Sequence, residues 1–340
     1  MAGALVAPDS FKGTFSAAAV AEAMARGVSS TGAGSSSPPV IDQCPVADGG
    51  EGTAEVLMKA LGGRYVAAAA SDPLGRRFEA GFVLLGDERT AVVETATASG
   101  LTLVSEGERD AVAASTAGTG ELIVAAARAG ATRILLAVGG TATSDGGRGA
   151  IRTIESGGGL HEAELIILAD VETAFEDAAI VFGPQKGASP ADVELLTDRL
   201  VETADGLPRS PLGMARLGAG GGIAGGLWAS SGAEVVSGAD YVLETIDFDR
   251  RLSRAECVLV GEGQLDHQSL GGKIVGNILE RAKQETVPCH AIVGRCQLSD
   301  EEIQQAGFAS VQTASTLEEI EAAALAVGQT QSARWPNAGG

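Results

Sequence analysis

The chain has 340 residues and carries 24 Lys and Arg against 44 Asp and Glu, a formal net charge of −20. That balance excludes nucleic acid and anionic membrane surfaces as expected partners, and the length suits two α/β domains better than one core. Aromatic residues reach only 4%, so the core must come from Ala, Val, Leu and Ile, which favours layered α/β packing.

The N-terminus opens with an apolar run, Ala4 to Ala7, stopped by Pro8-Asp9. Val20, Met24 and Val28 follow at helical spacing, with Ser16 as N-cap. After a Ser/Gly/Pro loop at 29–39, a strand from Val40 to Val46 leads into "PVADGGEGT", and "EVLMKAL" continues as a helix. This strand–loop–helix pattern, used twice, predicts a parallel sheet with ligand loops at its carboxyl edge. The pattern then changes. Phe78, Ala80, Phe82 and Leu84 alternate, "GDER" turns, and Ala91, Val93 and Thr95 answer, which predicts an antiparallel hairpin. A helix around Leu122–Ala127, a buried strand "RILLAVGG" and a helix near 190–204 fill the middle. From about 235 the first style returns: strand "ECVLVGEG", helix 273–286, strand "CHAIVG", helix 300–306, strand "FASVQT" and helix 316–327. The expected fold is α/β in two domains. A doubly wound Rossmann-like domain takes 1–68 and 235–328 from both chain ends, a mixed α/β domain is inserted at 69–234, and 329–340 is a flexible tail. The crossings near 68 and 235 are expected to act as hinges, with Gly232 and Gly238 near the second.

Three glycine-rich loops follow apolar strands and carry acids: "PVADGGEGT", "GGTATSDGGRG" at 139–149 and "GEGQLDHQSLGGK" at 261–273. They supply Asp48, Glu51, Asp145, Glu262 and Asp266. One Asp beside Gly is ordinary turn chemistry; three such loops at strand ends point to a shared function. Carboxylates that converge repel one another unless a hard cation such as Mg²⁺ neutralises them or one holds a proton. Opposite charge comes from Lys12 in "PDSFKGTFS", Lys186 in "FGPQKGAS" and Lys273 in "GGK", each a mobile point charge suited to phosphate. The run "GAGGGIAGG" at 218–226 enters a helix, a setting for phosphate or for close helix packing. A Walker A loop, the protein-kinase signatures and a dinucleotide G-x-G-x-x-G are all missing. Three histidines, two of them in no motif, give a Ser-His-Asp or Cys-His mechanism little support. The four cysteines form no C-x-x-C pair, and the N-terminus has no secretory pattern, so reduced thiols and a cytoplasmic location are expected.

The motifs "APDSFKGTFSA", "PVADGGEGT", "DPLGR", "STAGTGELI", "GGTATSDGG", "VFGPQKGA" and "GEGQLDHQSLGGK" stand in an order that resembles bacterial glycerate kinases of the non-MOFRL type, over about residues 4–325. The resemblance implies ATP-dependent phosphorylation of D-glycerate with 2-phosphoglycerate as product, magnesium as the usual metal, and an active cleft between two domains. Alternatives are 3-phosphoglycerate as product, or a non-catalytic binding or sensor protein for small hydroxy acids. One departure stands out: where these kinases carry Asp-Val-x-Asn-Pro-Leu, this chain reads "ADVETAFEDAA", so Asp170 and Val171 match and the rest does not. The roles expected are Asp48 or Asp145 as base or orienter, and Lys12 as a catalytic residue that neutralises phosphate and the glycerate carboxylate. Asp9, Ser10, Lys186, Lys273, Gly49, Gly50, Gly139, Gly140 and Thr141 would bind substrate and phosphate, and Glu51, Glu262 and Asp266 the metal. A monomer or homodimer is expected.

Overall fold

The computed structural model describes residues 3–31 and 39–331, which fall into two units: Met1–Asp48 with Val242–Gly340, and Gly49–Tyr241.

The first unit is built by both chain ends. Its five-stranded sheet contains β1 (Ala4–Pro8), β2 (Ile41–Gln43), β9 (Val258–Leu265), β10 (Cys289–Cys296) and β11 (Ser310–Thr313) in the order β11-β10-β9-β1-β2. All four pairings are parallel. The winding runs outward in both directions from β1 and β9, so these neighbours flank the topological switch point where open α/β sheets bind ligands. Strands of a parallel sheet are buried on both faces, which is why "ALVAP" is apolar throughout and fully buried. Helix Ala17–Ser30 is capped by the Ser16 side chain, as its sequence predicts, and buries Val20, Met24 and Val28. Val20, Met24 and Val28 share a core with Ile320, Ala324 and Val327 from helix Leu317–Gln331. The two helices approach closely at Gly27, where a Cβ would lie 2.1 Å from the Glu321 carbonyl oxygen.

The second unit holds a six-stranded mixed sheet in simple chain order: β3 (Gly63–Ser71), β4 (Arg77–Leu85), β5 (Thr90–Glu94), β6 (Arg133–Ala137), β7 (Glu164–Leu168) and β8 (Glu234–Val236). The first three strands pair antiparallel and the rest parallel. The expected hairpin is present, with Val83 facing Val92 and Leu84 facing Ala91. Helix Ala117–Arg128 covers this sheet through Leu122, Ile123 and Ala126.

The unit boundaries differ from the expected crossings. Residue 68 falls inside β3, whose whole length pairs with β4, from Gly63 opposite Leu85 to Ser71 opposite Arg77. The division comes earlier, between Asp48 and Gly49, because helix Thr53–Leu61 packs on β4 and β5. The second division falls within helix Gly238–Thr245. Residues 329–331 continue the helix Leu317–Gln331; the remainder of the expected tail, 332–340, and residues 32–38 of the Ser/Gly/Pro loop lie outside the described residues. Among the described residues no helix is long and apolar enough to cross a membrane, and the four cysteines are free.

Candidate active site

In the first unit, the carboxyl ends of β1 and β9 deliver Asp9 and Glu262 to one pocket of about 600 Å³, which Lys12, Asp48, Asp266 and Lys273 also line. The strands are in register there, with Pro8 opposite Gly261, and the Asp9 N–H donates to the Gly261 carbonyl at 2.8 Å. Beyond Asp9 the chain closes a tight loop in which Phe11 and Phe15 exchange backbone hydrogen bonds at 2.9 and 3.0 Å. Lys12 at its tip reaches back to Asp48, Nζ to Oδ2 2.8 Å. The Lys12 pKa is held above its usual range chiefly by Asp48. Asp9 is 4% exposed and takes the Ser10 N–H at 2.6 Å; burial, then the Asp48 charge, pushes its pKa up. Glu262 is pushed up to about 7, mainly by burial, and its Oε1 has no hydrogen-bond partner.

Asp266 behaves differently. Its Oδ1 accepts from the Gln268 and Ser269 N–H groups at 2.9 and 3.0 Å, and its Oδ2 from Gln264 Nε2 at 3.0 Å. The expected metal ligand is thus the N-cap of a short helix, His267–Leu270. Lys273 stands at the N-cap position of helix Ile274–Gln284 and lines the pocket. Sequence reasoning missed Arg295 and Ser315, which also line it. Arg295 lies near the end of β10, one strand from β1's neighbour, and that strand-end position was the available signal.

The second unit gathers its own motif loops at the carboxyl ends of its parallel strands. A Cβ on Gly139 would lie 3.1 Å from Gly50 Cα, and one on Gly140 3.6 Å from a Glu51 carboxylate oxygen, so "DGGEG" and "GGTAT" meet. Gly49 packs on Gly238 in the same way, its Cβ position 2.6 Å from Gly238 Cα. Glu94, another residue that the sequence did not single out, ends β5 and takes the Gly52 and Ala54 N–H groups at 3.0 and 2.8 Å. It thereby anchors the opening turn of helix Thr53–Leu61, and burial pushes its pKa up to about 7.

Lys186 is not the solvated loop lysine that its flanking glycine suggests. It is 3% exposed, with Nζ donating to Thr141 Oγ1 at 3.1 Å and to the Thr143 carbonyl. It forms no ion pair among the described residues, and burial lowers its pKa to about 7. The pocket around it, about 240 Å³, is lined by Gly139, Gly140, Thr141, Gly220 and Gly221 with no acid among its walls. Gly221 has φ +73°, and a Cβ there would fall 1.9 Å from the Thr143 oxygen and 2.9 Å from Lys186 Nζ. The packing reading of the glycine run holds for its second half, and its first half lines the pocket. Gly220 and Gly221 wall the pocket ahead of helix Ile223–Ser231, whereas Gly225 and Gly226 press on Phe175 and Gly146.

Asp145 accepts four hydrogen bonds: Thr116 N–H and Oγ1 at 2.9 Å each, Gly149 N–H at 3.0 Å and Gly147 N–H at 3.1 Å. A carboxylate so committed orients a turn. Asp170 likewise takes Ser237 Oγ, Gly238 N–H and Ala239 N–H, which caps the start of helix Gly238–Thr245, while Val171 lines the Lys186 pocket.

Both units therefore present acids, lysines and glycine loops at the carboxyl ends of parallel strands, the equipment of an enzyme that handles small anions. Residues 4–157 and 153–334 match the glycerate kinase family. The chain is 37% identical to a glycerate kinase of Bacillus subtilis, covering 89% of this chain and 88% of that protein. It is 33% identical to the glycerate 2-kinase of Escherichia coli, covering 85% and 84%. A solved structure described as a putative glycerate kinase 2 from Salmonella typhimurium superposes with a TM-score of 0.80 at 31% identity, covering 97% of this chain and 98% of that one. The chain belongs to the glycerate kinase family, and is a kinase.

Proposed function

We propose that this kinase transfers the γ-phosphoryl group of ATP to D-glycerate and releases 2-phosphoglycerate. The observation that supports the reading best is the pocket at the switch point of the first unit, where Asp9, Lys12, Asp48, Glu262 and Lys273 meet. Phosphoryl transfer asks for alignment, cations on the phosphate oxygens and an orienter for the attacking hydroxyl. Asp48 is the better base or orienter of the two expected: it is ionised against Lys12, whereas Asp145 spends both oxygens on a turn. Lys12 and Lys273 neutralise phosphate, with Ser10 beside them in the same pocket. Lys186, with Thr141 and the glycines around it, holds an anionic group of the substrates. Four free thiols, those of Cys44, Cys257 and Cys289 buried, agree with a cytoplasmic enzyme.

Among the described residues no group of three or more His, Cys, Asp or Glu is arranged to hold a metal. Magnesium, however, is commonly held by one or two carboxylates plus substrate phosphates. Glu262, with its buried and unpartnered Oε1, fits that role; Asp266 is occupied as a cap and supports the loop, and Glu51 is the acid beside Gly140 in the second unit. Bound there, magnesium would supply charge neutralisation on the phosphate oxygens.

Phosphorus NMR of the product formed from D-glycerate, ATP and magnesium tests the reading. A 2-phosphoglycerate resonance is expected. A 3-phosphoglycerate resonance overturns the position of transfer, and no product with glycerate bound would leave a binding protein.

A further inference from the structure

Independent of that reading, the second unit holds another cavity, of about 180 Å³, whose walls are net positive in a chain of net charge −20. Arg148 and Arg152 enter it from helix Arg148–Ser156, and Arg199 from helix Pro190–Asp205. None of the three guanidinium groups is in an ion pair among the described residues. This occurs in a chain with 44 acids against 24 basic residues. The one acid in the wall, Asp145, has both oxygens committed to Thr116, Gly147 and Gly149. Arg199 is fixed by a hydrogen bond from Nη1 to the Val112 carbonyl at 3.2 Å, and Val112 itself lines the cavity. Ser144 is 1% exposed, lines the same space, and its Oγ has no hydrogen-bond partner.

Like charges gathered without counterions repel, and a buried hydroxyl without a partner costs free energy. An anionic ligand relieves the repulsion. We propose that this cavity binds a phosphoryl group, either free phosphate or the phosphoryl end of a small phosphorylated acid. Three positive charges against one negative leave a balance suited to a dianion. Guanidinium groups offer paired donors that match phosphate oxygens. The volume leaves room for a small ligand only, below the range of drug-sized pockets. The loop after β6 contributes to both pockets of the unit: Gly139, Gly140 and Thr141 to the Lys186 pocket, Ser144 and Asp145 to this one. Occupancy of the arginine cavity therefore bears directly on a loop that also shapes the Lys186 pocket.

Isothermal titration of inorganic phosphate into the full chain, the Arg148→Gln/Arg152→Gln double variant and Arg254→Gln tests the site. The double variant should bind phosphate roughly 10-fold or more weakly, the scale of a lost charge-assisted contact, while Arg254→Gln, at an exposed position outside the cavity, stays within about 2-fold. Should the double variant fail to fold by circular dichroism, Arg152→Gln alone, at an exposed position, carries the comparison. A second series with 2-phosphoglycerate separates the sources: tighter binding than phosphate, lost in the cavity-arginine variants, identifies a phosphorylated acid, and equal binding identifies phosphate; both sustain the site. Equal phosphate affinity in wild type and the cavity-arginine variants, absence of phosphate binding, or an equal loss in Arg254→Gln would each overturn it.

Discussion

Lys12 Nζ sits 2.8 Å from Asp48 Oδ2, across 36 residues of sequence, with the carboxylate only 12% exposed and the lysine half exposed. The pair places the Asp48 carboxylate beside the buried carboxyl of Asp9, whose pKa is pushed up by burial and then by the Asp48 charge. Asp48→Asn should preserve the fold and lower kcat by roughly 10²-fold or more, the scale for a lost positioned base. Steady-state kinetics with circular dichroism checks it. Near wild-type turnover would reduce the pair to a structural contact.

Lys186 gives a pH signature. Its amine titrates near 7 instead of its ordinary 10.5 because it is buried, and only the charged form attracts an anion. Anion binding should therefore take up a proton and weaken as pH rises through about 7. Titration calorimetry in buffers of different ionisation enthalpy reads the uptake directly. Lys186→Met should lose this dependence between about pH 6.5 and 8.5 and bind the anion roughly 10-fold or more weakly. The ligand-free protein shows the complementary trend. Between about pH 7 and 10.5 the unfolded chain carries a proton on this lysine that the folded chain lacks, so stability rises with pH across that window.

Glu262 has the opposite sign. With its folded pKa near 7 against an ordinary 4.5, the native state holds the extra proton between those values, so stability falls as pH rises from about 4.5 to 7 and then levels. Glu262→Gln should remove that slope and raise stability at pH 8 by on the order of 1–3 kcal/mol, while weakening magnesium-dependent activity. Denaturant melts at pH 4.5 and pH 8 provide the check. The same stability change at both pH values would contradict burial of the charge as its cause.

Metal removal should abolish turnover. Excess EDTA is expected to stop product formation from ATP and D-glycerate, and added magnesium to restore it. Undiminished activity in EDTA would leave Glu262 and its neighbours without a metal role.

Much of this arrangement is legible in the sequence where a local cause dominates. Ser16 and Ser299 cap the helices that follow them, and the 3.6-residue period of Val20, Met24 and Val28 names the face that is buried. The carboxyl-edge loops are legible too, since glycines and acids follow apolar strands. The remainder depends on contacts distant in sequence. β3 reads "GRYVAAAAS", where small residues blur the alternation that marks a strand. β7 and β8 are short and take their pairing from neighbours. The fates of Asp145 and Asp266 are settled by which N–H groups surround them, which no spacing in the chain reveals. Lys186 is the clearest case: loop residues by their pattern, glycine beside it, and yet an amine enclosed by Thr141, Thr143 and Gly221.

The neighbours β1 and β9 pair Leu5 with Val258, and this sets a timetable for biosynthesis. At roughly 5–20 residues per second, the ribosome makes the second strand tens of seconds after the first. During that interval "ALVAP" has no central partner, whereas Gly49–Tyr241 holds every strand of its own sheet and can fold as soon as it emerges. The nascent chain thus carries a hydrophobic strand with β2 on one edge and its other edge open, ahead of a completed unit, a species prone to association. Variants that slow the second half of translation should aggregate at β1 without any loss of native stability. The pocket between Asp9 and Glu262, made from the first and last thirds of the chain, is among the last features of the molecule to exist.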